Sequence, residues 1–239
     1  MILNFLNSLN FLSCPPPLLA MHIPDGFLNP PVTAVTWIIA LSLVGVSLQK
    51  AQAEYKERVV PLMGVCAAFI FAGQMINFPI PGGTSGHLLG GTLAGMLLGP
   101  WAGSLVMAVV FIVQGTVFQD GGLTVLGANI VNMGLIGTFG GYYIYKIIRM
   151  VIGRQKLGGM VVGVAIAAWL SVVVGSLSCA LQLALSDTVP LAVALTAMFS
   201  WHIFIGIGEA LISVAVGTFV WRTRPELFYD PPLRRKLVV

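Results

Sequence analysis

Apolar residues in this chain fall into long unbroken runs, not into the alternating or helical stripes of a water-facing fold. Seven runs separated by turn signals predict seven membrane-spanning helices: Val32 to Leu48, Val59 to Phe78, Leu88 to Leu98, Trp101 to Phe118, Leu123 to Tyr145, Gly159 to Leu185 and Leu191 to Trp221. A helix needs about 20 apolar residues to cross the hydrocarbon core. The third run is short and Gly99-Pro100 follows it, so a re-entrant half-helix is its alternative reading. Pro100 suits the first position of a following helix. Gly, Ala and Ser recur through the runs, as close helix packing in lipid requires.

Composition makes the class firmer. Of 239 residues 57% are hydrophobic and 8% charged, against roughly 25% charged in soluble domains. The expectation is an all-α integral membrane protein, with one membrane domain over 21–239 that ends in a short basic tail. Seven spans use up the chain, and neither a GxxxxGK[ST] phosphate loop nor an HExxH helix occurs. The chain is therefore not expected to be an enzyme or to carry a cofactor, and any ATP hydrolysis must come from a partner. Cys14, Cys66 and Cys179 are far apart and form no CxxC pair, so neither a disulfide framework nor a thiolate zinc site is expected.

The charges add a topology. Between Val59 and Tyr145 the single charge is Asp120. Basic residues gather in three clusters: Lys50, Lys56 and Arg58; Lys146, Arg149, Arg154 and Lys156; and Arg222, Arg224, Arg234, Arg235 and Lys236. With seven spans all three lie on one side, which the positive-inside tendency makes cytoplasmic. The amino end is then external and the carboxyl end cytoplasmic, in a multi-pass protein of the cell inner (plasma) membrane. A re-entrant third run would break that parity. External loops would carry Asp25, Asp120 and Asp187, a face suited to a cation. Membrane lipid is the expected surrounding, and nucleic acid is not an expected partner.

Residues 1–20, MILNFLNSLNFLSCPPPLLA, admit three readings: a leader cleaved after Ala20, an over-extended start with translation beginning at Met21, or an uncleaved interfacial segment. The first two give a mature chain that begins Met21-His22.

Candidate chemistry is sparse. Two of the three histidines, His22 and His87, lie in Gly/Pro-rich external loops, MHIPDGFLNP and NFPIPGGTSGHLLGG. A lone loop histidine is ordinarily just solvated; two at one mouth are more suggestive. With Met21 as first residue, its amine, the His22 main-chain nitrogen and the His22 imidazole can close two fused chelate rings, with His87 as a fourth nitrogen. Four nitrogens in a plane suit Ni(II) or Cu(II). Pro24-Asp25-Gly26 is a turn signal; Asp25 either folds the amino end over the surface or accepts a hydrogen bond from a ligand imidazole. Gly82, Gly83, Thr84 and Ser85 are read as support for the His87 loop. Gln114, Asn129 and Asn132 lie in or near spans, where amides need partners, so helix-to-helix hydrogen bonding or site support is expected.

His202 and Glu209 lie inside the last run, where ionisable groups are costly. Seven residues apart they share a helix face about 10 Å from one another, too far to bind one ion on an unbroken helix. They are read as a buried polar network or as coupling machinery. The alternative function they raise is a proton-coupled secondary metal transporter driven through Glu209 and His202.

MHIPDGFLNP, then PIPGGTSGH, then HIFIGIGEA in the last run resemble the substrate-binding membrane subunit, or S component, of cobalt/nickel energy-coupling-factor transporters, the CbiM/NikM family, over Met21 to about Trp221. The resemblance implies that Met21, His22 and His87 bind Ni(II) or Co(II). It also implies uptake with a transmembrane coupling subunit, cytoplasmic ATPase subunits and a small accessory membrane subunit, feeding cobalamin biosynthesis if the ion is cobalt. PIPGGTSGH is closer to nickel members, since many cobalt members carry a Cys-Ser-His stretch absent here.

Overall fold

In a medium that offers no hydrogen-bonding partners, an apolar chain must satisfy its own backbone, and helix is the local way to do so. The computed structural model describes residues 21–54, 59–76, 78–80 and 84–232. Residues 1–20, with their three readings, and Cys14, Lys56, Arg58, Gly82, Gly83, Arg234, Arg235 and Lys236 lie outside that range.

Helix α1 spans Pro30–Glu54, with Asn29 Oδ1 accepting the Val32 N–H at 3.0 Å and Pro30 in the first turn, a start signal of cap followed by proline. Helix α2 is Val60–Gln74. Strand β1 (Phe78–Ile80) then pairs antiparallel with β2 (Thr84–Gly86), Phe78 facing Gly86 and Ile80 facing Thr84. Helix α3 is Gly91–Val117. Helix α4 (Leu126–Asn129) continues through a π-helical stretch, Ile130–Gly140, into α5 (Gly141–Ile152). Helices α6 (Leu157–Leu185) and α7 (Leu191–Thr223) follow, then a 3-10 turn at Pro225–Leu227.

Helix α3 is a hairpin. Gly99 takes φ 77° and ψ 168°, which a residue with a side chain rarely adopts. A Cβ placed on Gly103 would lie 3.0 Å from the Ala94 carbonyl carbon and from the Gly95 nitrogen. Along a straight helix those residues would be roughly 12 Å away, so arms 91–98 and 100–117 lie against one another. The third and fourth apolar runs are these two arms.

All seven runs are helical over most of their length, and four helices are long and apolar enough to cross a bilayer: Pro30–Glu54, Gly91–Val117, Leu157–Leu185 and Leu191–Thr223. The chain is a helical integral membrane protein. Large apolar side chains such as Val35, Ile38, Leu41, Phe204, Leu211 and Phe219 face outward, while Gln74, Gln114, Asn129, Asn132 and Glu209 are buried, the distribution of a protein solvated by lipid.

The all-α expectation holds, with one short addition among the described residues, the β1–β2 ribbon. The second run stops being helical at Gln74, and Pro79 stands in strand β1 beyond it. Helices α1 and α5 also outrun their apolar segments, reaching Glu54 and Ile152.

Two ends of the bundle follow from its contacts. At one, Asn29 Nδ2 donates to the Leu185 carbonyl and the Thr188 hydroxyl to the Phe27 carbonyl. At the other, the Tyr229 hydroxyl donates to Glu54, Tyr229 N–H to the Met96 carbonyl at 3.2 Å, and Arg154 pairs with Asp230 at 2.9 Å. Described basic residues Lys50, Arg149, Arg154, Lys156, Arg222 and Arg224 collect at this second end. Arg149 is not a solvated charge there: it is buried, its guanidinium 5.0 Å from the Trp221 ring centre, donating to the Tyr145 hydroxyl and the Asp230 carbonyl.

Candidate metal centre

The segment before α1 is drawn into the first end of the bundle by its backbone. Asn129, at the end of α4, accepts the Ile23 N–H through Oδ1 (2.9 Å) and donates to the Ile23 carbonyl through Nδ2 (3.1 Å). Gly122 N–H donates to the same carbonyl at 2.9 Å. Met21, His22 and Ile23 are buried as a result, with the Met21 side chain against Gly175. Asp25 lies outside this core. Its carboxylate accepts the Leu123 and Thr124 N–H groups and the Thr124 hydroxyl (3.2, 2.8 and 2.5 Å). These bonds, the Thr124 hydroxyl foremost, hold its pKa below the usual carboxylate range. Asp25 is thus loop support, with its oxygens committed to the 123–124 backbone and not to an imidazole.

His22 and His87 come together ring to ring, centroids 4.7 Å apart and planes at 63°. They are 6% and 7% exposed, and the His22 ring also meets Phe111 at 5.8 Å. His22 Nδ1 lies 3.3 Å from the Asp120 carbonyl oxygen and 3.5 Å from Asp120 Oδ1. Both are acceptors, so Nδ1 carries the proton and Nε2 the lone pair. That Nε2 is buried and has no hydrogen-bond partner. His87 Nδ1 donates to the Leu88 carbonyl at 2.8 Å, which leaves its Nε2 as the lone-pair nitrogen too. Burial, together with His87, pushes the His22 pKa down to about 3, and burial lowers that of His87. Asp120 is raised by its own burial against the opposing pull of His87. Two neutral imidazoles with free lone pairs meet the requirement that metal ligands be deprotonated.

Gly121 makes the close approach possible. At φ 90°, a Cβ on it would strike Asn129 Nδ2 at 2.8 Å and His22 Nδ1 at 3.4 Å. Among the described residues no three His, Cys, Asp or Glu side chains gather as a metal cage. A four-nitrogen set must therefore draw on main-chain nitrogen. A histidine can chelate through its own main-chain nitrogen only with Nδ1, since Nε2 lies across the ring. Closing the fused chelate thus requires His22 Nδ1 to exchange Asp120 for the ion.

The His87 loop is held from beneath. Glu209 Oε2 accepts the Leu89 N–H and Oε1 the Gly90 N–H, each at 2.8 Å. Gln74 Nε2 donates to the Leu89 carbonyl at 2.6 Å, and Gln114 Nε2 donates to Gln74 Oε1 at 2.8 Å. Glu209 and Gln114 therefore serve the loop that carries His87, and Asn129 serves the segment that carries His22. Asn132 instead pairs reciprocally with Gln182, joined by the Ser178 hydroxyl, and ties the π-helical stretch to α6. His202 Nδ1 donates to the Met198 carbonyl one turn back. Thr84 and Ser85 lie in β2, opposite Ile80 and Pro79.

Sequence reading passed over Asp120, Gln74 and Gln182 as site or network residues. The signals were present: Asp120 is the single charge between Val59 and Tyr145, and Gln74 is one of two amides, with Asn77, in an apolar run.

Similar proteins carry metal-transport names. Proteins bearing the name NikMN, for fused nickel transport, are 37% identical over 221 residues in Archaeoglobus fulgidus (92% of this chain, 72% of that one) and 32% identical over 223 residues in Rhodobacter capsulatus (87% and 63%). The cobalt transport protein CbiM of Sorangium cellulosum is 30% identical over 213 residues, covering 87% of this chain and 94% of its own. The crystal structure of a truncated transition metal transporter superposes with TM-score 0.76 at 33% identity, over 84% of this chain and 98% of that one. Residues 22–227 match the family model for CbiM, the cobalt uptake substrate-specific transmembrane region, and the chain belongs to that family.

Proposed function

We propose that this protein captures Ni(II) or Co(II) at the outer face of the cell membrane and is the substrate-specific subunit of an energy-coupling-factor uptake transporter. The observation that carries the reading is the pair of buried neutral imidazoles, His22 and His87, with ring centres 4.7 Å apart beside the Met21-His22 backbone. Burying two polar rings side by side is costly, and an ion shared between them would offset that cost. The amine of Met21 and the main-chain nitrogen of His22 complete a planar set, once residues 1–20 are removed or never translated. Nickel is favoured by PIPGGTSGH and by the nickel names among the relatives; cobalt would feed cobalamin biosynthesis. Transmembrane coupling, cytoplasmic ATPase and small accessory membrane subunits complete the assembly.

With the hairpin arms counted separately, the chain crosses seven times. The end bearing Arg149, Arg154 and Arg224 is cytoplasmic by the positive-inside tendency, and the end bearing Asp25, Asp120 and Asp187 is external. Cysteine placed at Thr188 should react with an impermeant thiol reagent on intact cells, and cysteine at Arg154 should resist it. Labelling at Arg154 would overturn this orientation. A proton-coupled carrier built on Glu209 and His202 has no such support: Glu209 is committed to Leu89 and Gly90, and His202 to Met198.

The deciding experiment compares protein whose first residue is Met21 with the same protein acetylated on that amine, each titrated with Ni(II) and Co(II). Acetylation turns the amine into an amide and should weaken binding by roughly a hundredfold, because the chelate ring closed by the amine is lost. Equal affinity would overturn the amine ligand. Absence of binding in both would overturn metal capture.

A further inference from the structure

Glu209 is a carboxylate buried in the middle of an apolar helix, a placement that is expensive unless something requires it. Its two oxygens do not face a cation. They accept the successive N–H groups of Leu89 and Gly90, just ahead of the short arm 91–98. Gly90, at φ 78°, turns these groups toward a common point, as in an anion-binding nest of backbone amides. The Leu89 peptide carbonyl is held from the opposite side by Gln74 of α2. The His87 ring is fastened to this same stretch through its bond to the Leu88 carbonyl. One continuous path therefore runs from α7 through Glu209, the 88–90 backbone and the Leu88 carbonyl to the ring that meets His22 at 4.7 Å.

We propose that Glu209 is a positioning residue for His87, holding residues 88–90 from α7 so that the imidazole is fixed in direction before the ion arrives. The proposal rests on the reading of His87 as a ligand. It differs from a purely packing role for Glu209, which would tie α7 to the hairpin and stabilise the bundle without regard to the ion. A packing role acts on folding alone; a positioning role acts on the ion only while His87 is present. With Gln in place of Glu, one amide oxygen can still accept, but the amide NH2 must face an N–H, so the hold on one peptide is lost while volume is kept.

The test is a double-mutant cycle on protein whose first residue is Met21. Wild type, Glu209→Gln, His87→Ala and the double variant are titrated with Ni(II) by calorimetry, and the unfolding midpoint of each is measured without metal. Glu209→Gln should weaken Ni(II) binding by roughly ten- to a hundredfold, the usual effect of losing a group that orients a ligand. In the His87→Ala background the same substitution should change affinity by less than about twofold, while its effect on the midpoint is the same in both backgrounds. Equal fold losses in the two backgrounds would overturn the proposal and leave metal capture standing. So would unchanged affinity in Glu209→Gln. A His87→Ala variant with wild-type affinity would overturn His87 as ligand and this proposal with it. Gln74→Leu, which loosens Leu89 from the other side, gives the same readout if Glu209→Gln does not fold. Its loss should likewise vanish without His87, and a loss that persists counts against the proposal.

Discussion

His22 and His87 meet ring to ring, yet they are held by opposite kinds of scaffold. His22 rides on a segment with no secondary structure of its own, pinned at the rim by the side chains of Asn129 and Asp25. His87 is fixed from within the bundle, where Gln74 and Glu209 reach the 89–90 backbone from α2 and α7. A site made of one rim-held and one core-held imidazole can open on the rim side without disturbing the helices. In the physical terms of local stability, the rim half can open by breaking the three hydrogen bonds at Ile23 without unwinding a helix.

Breaking the comparison begins with the ligands. His22→Ala and His87→Ala should each cost more than about a hundredfold in Ni(II) affinity, exceeding the loss from any orienting group; titration of the purified variants checks this. A far smaller loss for His22 than for His87 would mean that the rim half contributes little.

Asn129→Ala tests the rim clamp. It removes both bonds to Ile23 and leaves buried backbone groups unpaired, a cost of about 1–3 kcal/mol each unless water enters. Affinity should fall roughly tenfold, with a lowered unfolding midpoint, and the Met21-His22 segment should become accessible to an aminopeptidase. Asn132→Ala, which loosens α6 instead, should lower the midpoint while leaving that segment protected.

Asp25 sets the smallest effect because it is exposed. Its folded-state pKa lies below the ordinary value, so its contribution to holding the rim is present above about pH 4 and is lost as pH falls through the carboxylate range. Hydrogen exchange at the Thr124 N–H should quicken on acidification in wild type and be already fast, and nearly independent of that titration, in Asp25→Asn. The 89–90 amides, held from α7, should not follow the same curve.

Much of the fold was legible because lipid rewards runs of apolar residues regardless of tertiary detail. Seven runs were visible, and Gly99-Pro100 marked the hairpin turn. The β1–β2 ribbon was not, since strands of three residues leave no periodic pattern. At the site, the Gly/Pro-rich histidine loops stood out against a chain otherwise short of polar groups. Asp120 and Gln74 were missed for a different reason: their importance depends on partners brought near by folding, His22 being 98 residues from Asp120 and Leu89 being 15 from Gln74. Asn129 and Asn132 are three residues apart and chemically alike, yet one clamps the His22 segment and the other Gln182. Only the facing element distinguishes them.

The contact between the His22 ring and Phe111 also has an electrical meaning. Phe111 lies six residues inside the Val117 end of α3, or roughly 9 Å along the helix axis. That is about a third of a 30 Å hydrocarbon core. With that end outward, a divalent cation seated against His22 would have moved through about a third of the membrane voltage, a gain of roughly 1.5 kcal/mol per 100 mV, inside negative. An energised membrane would thus tighten capture by about tenfold over detergent solution.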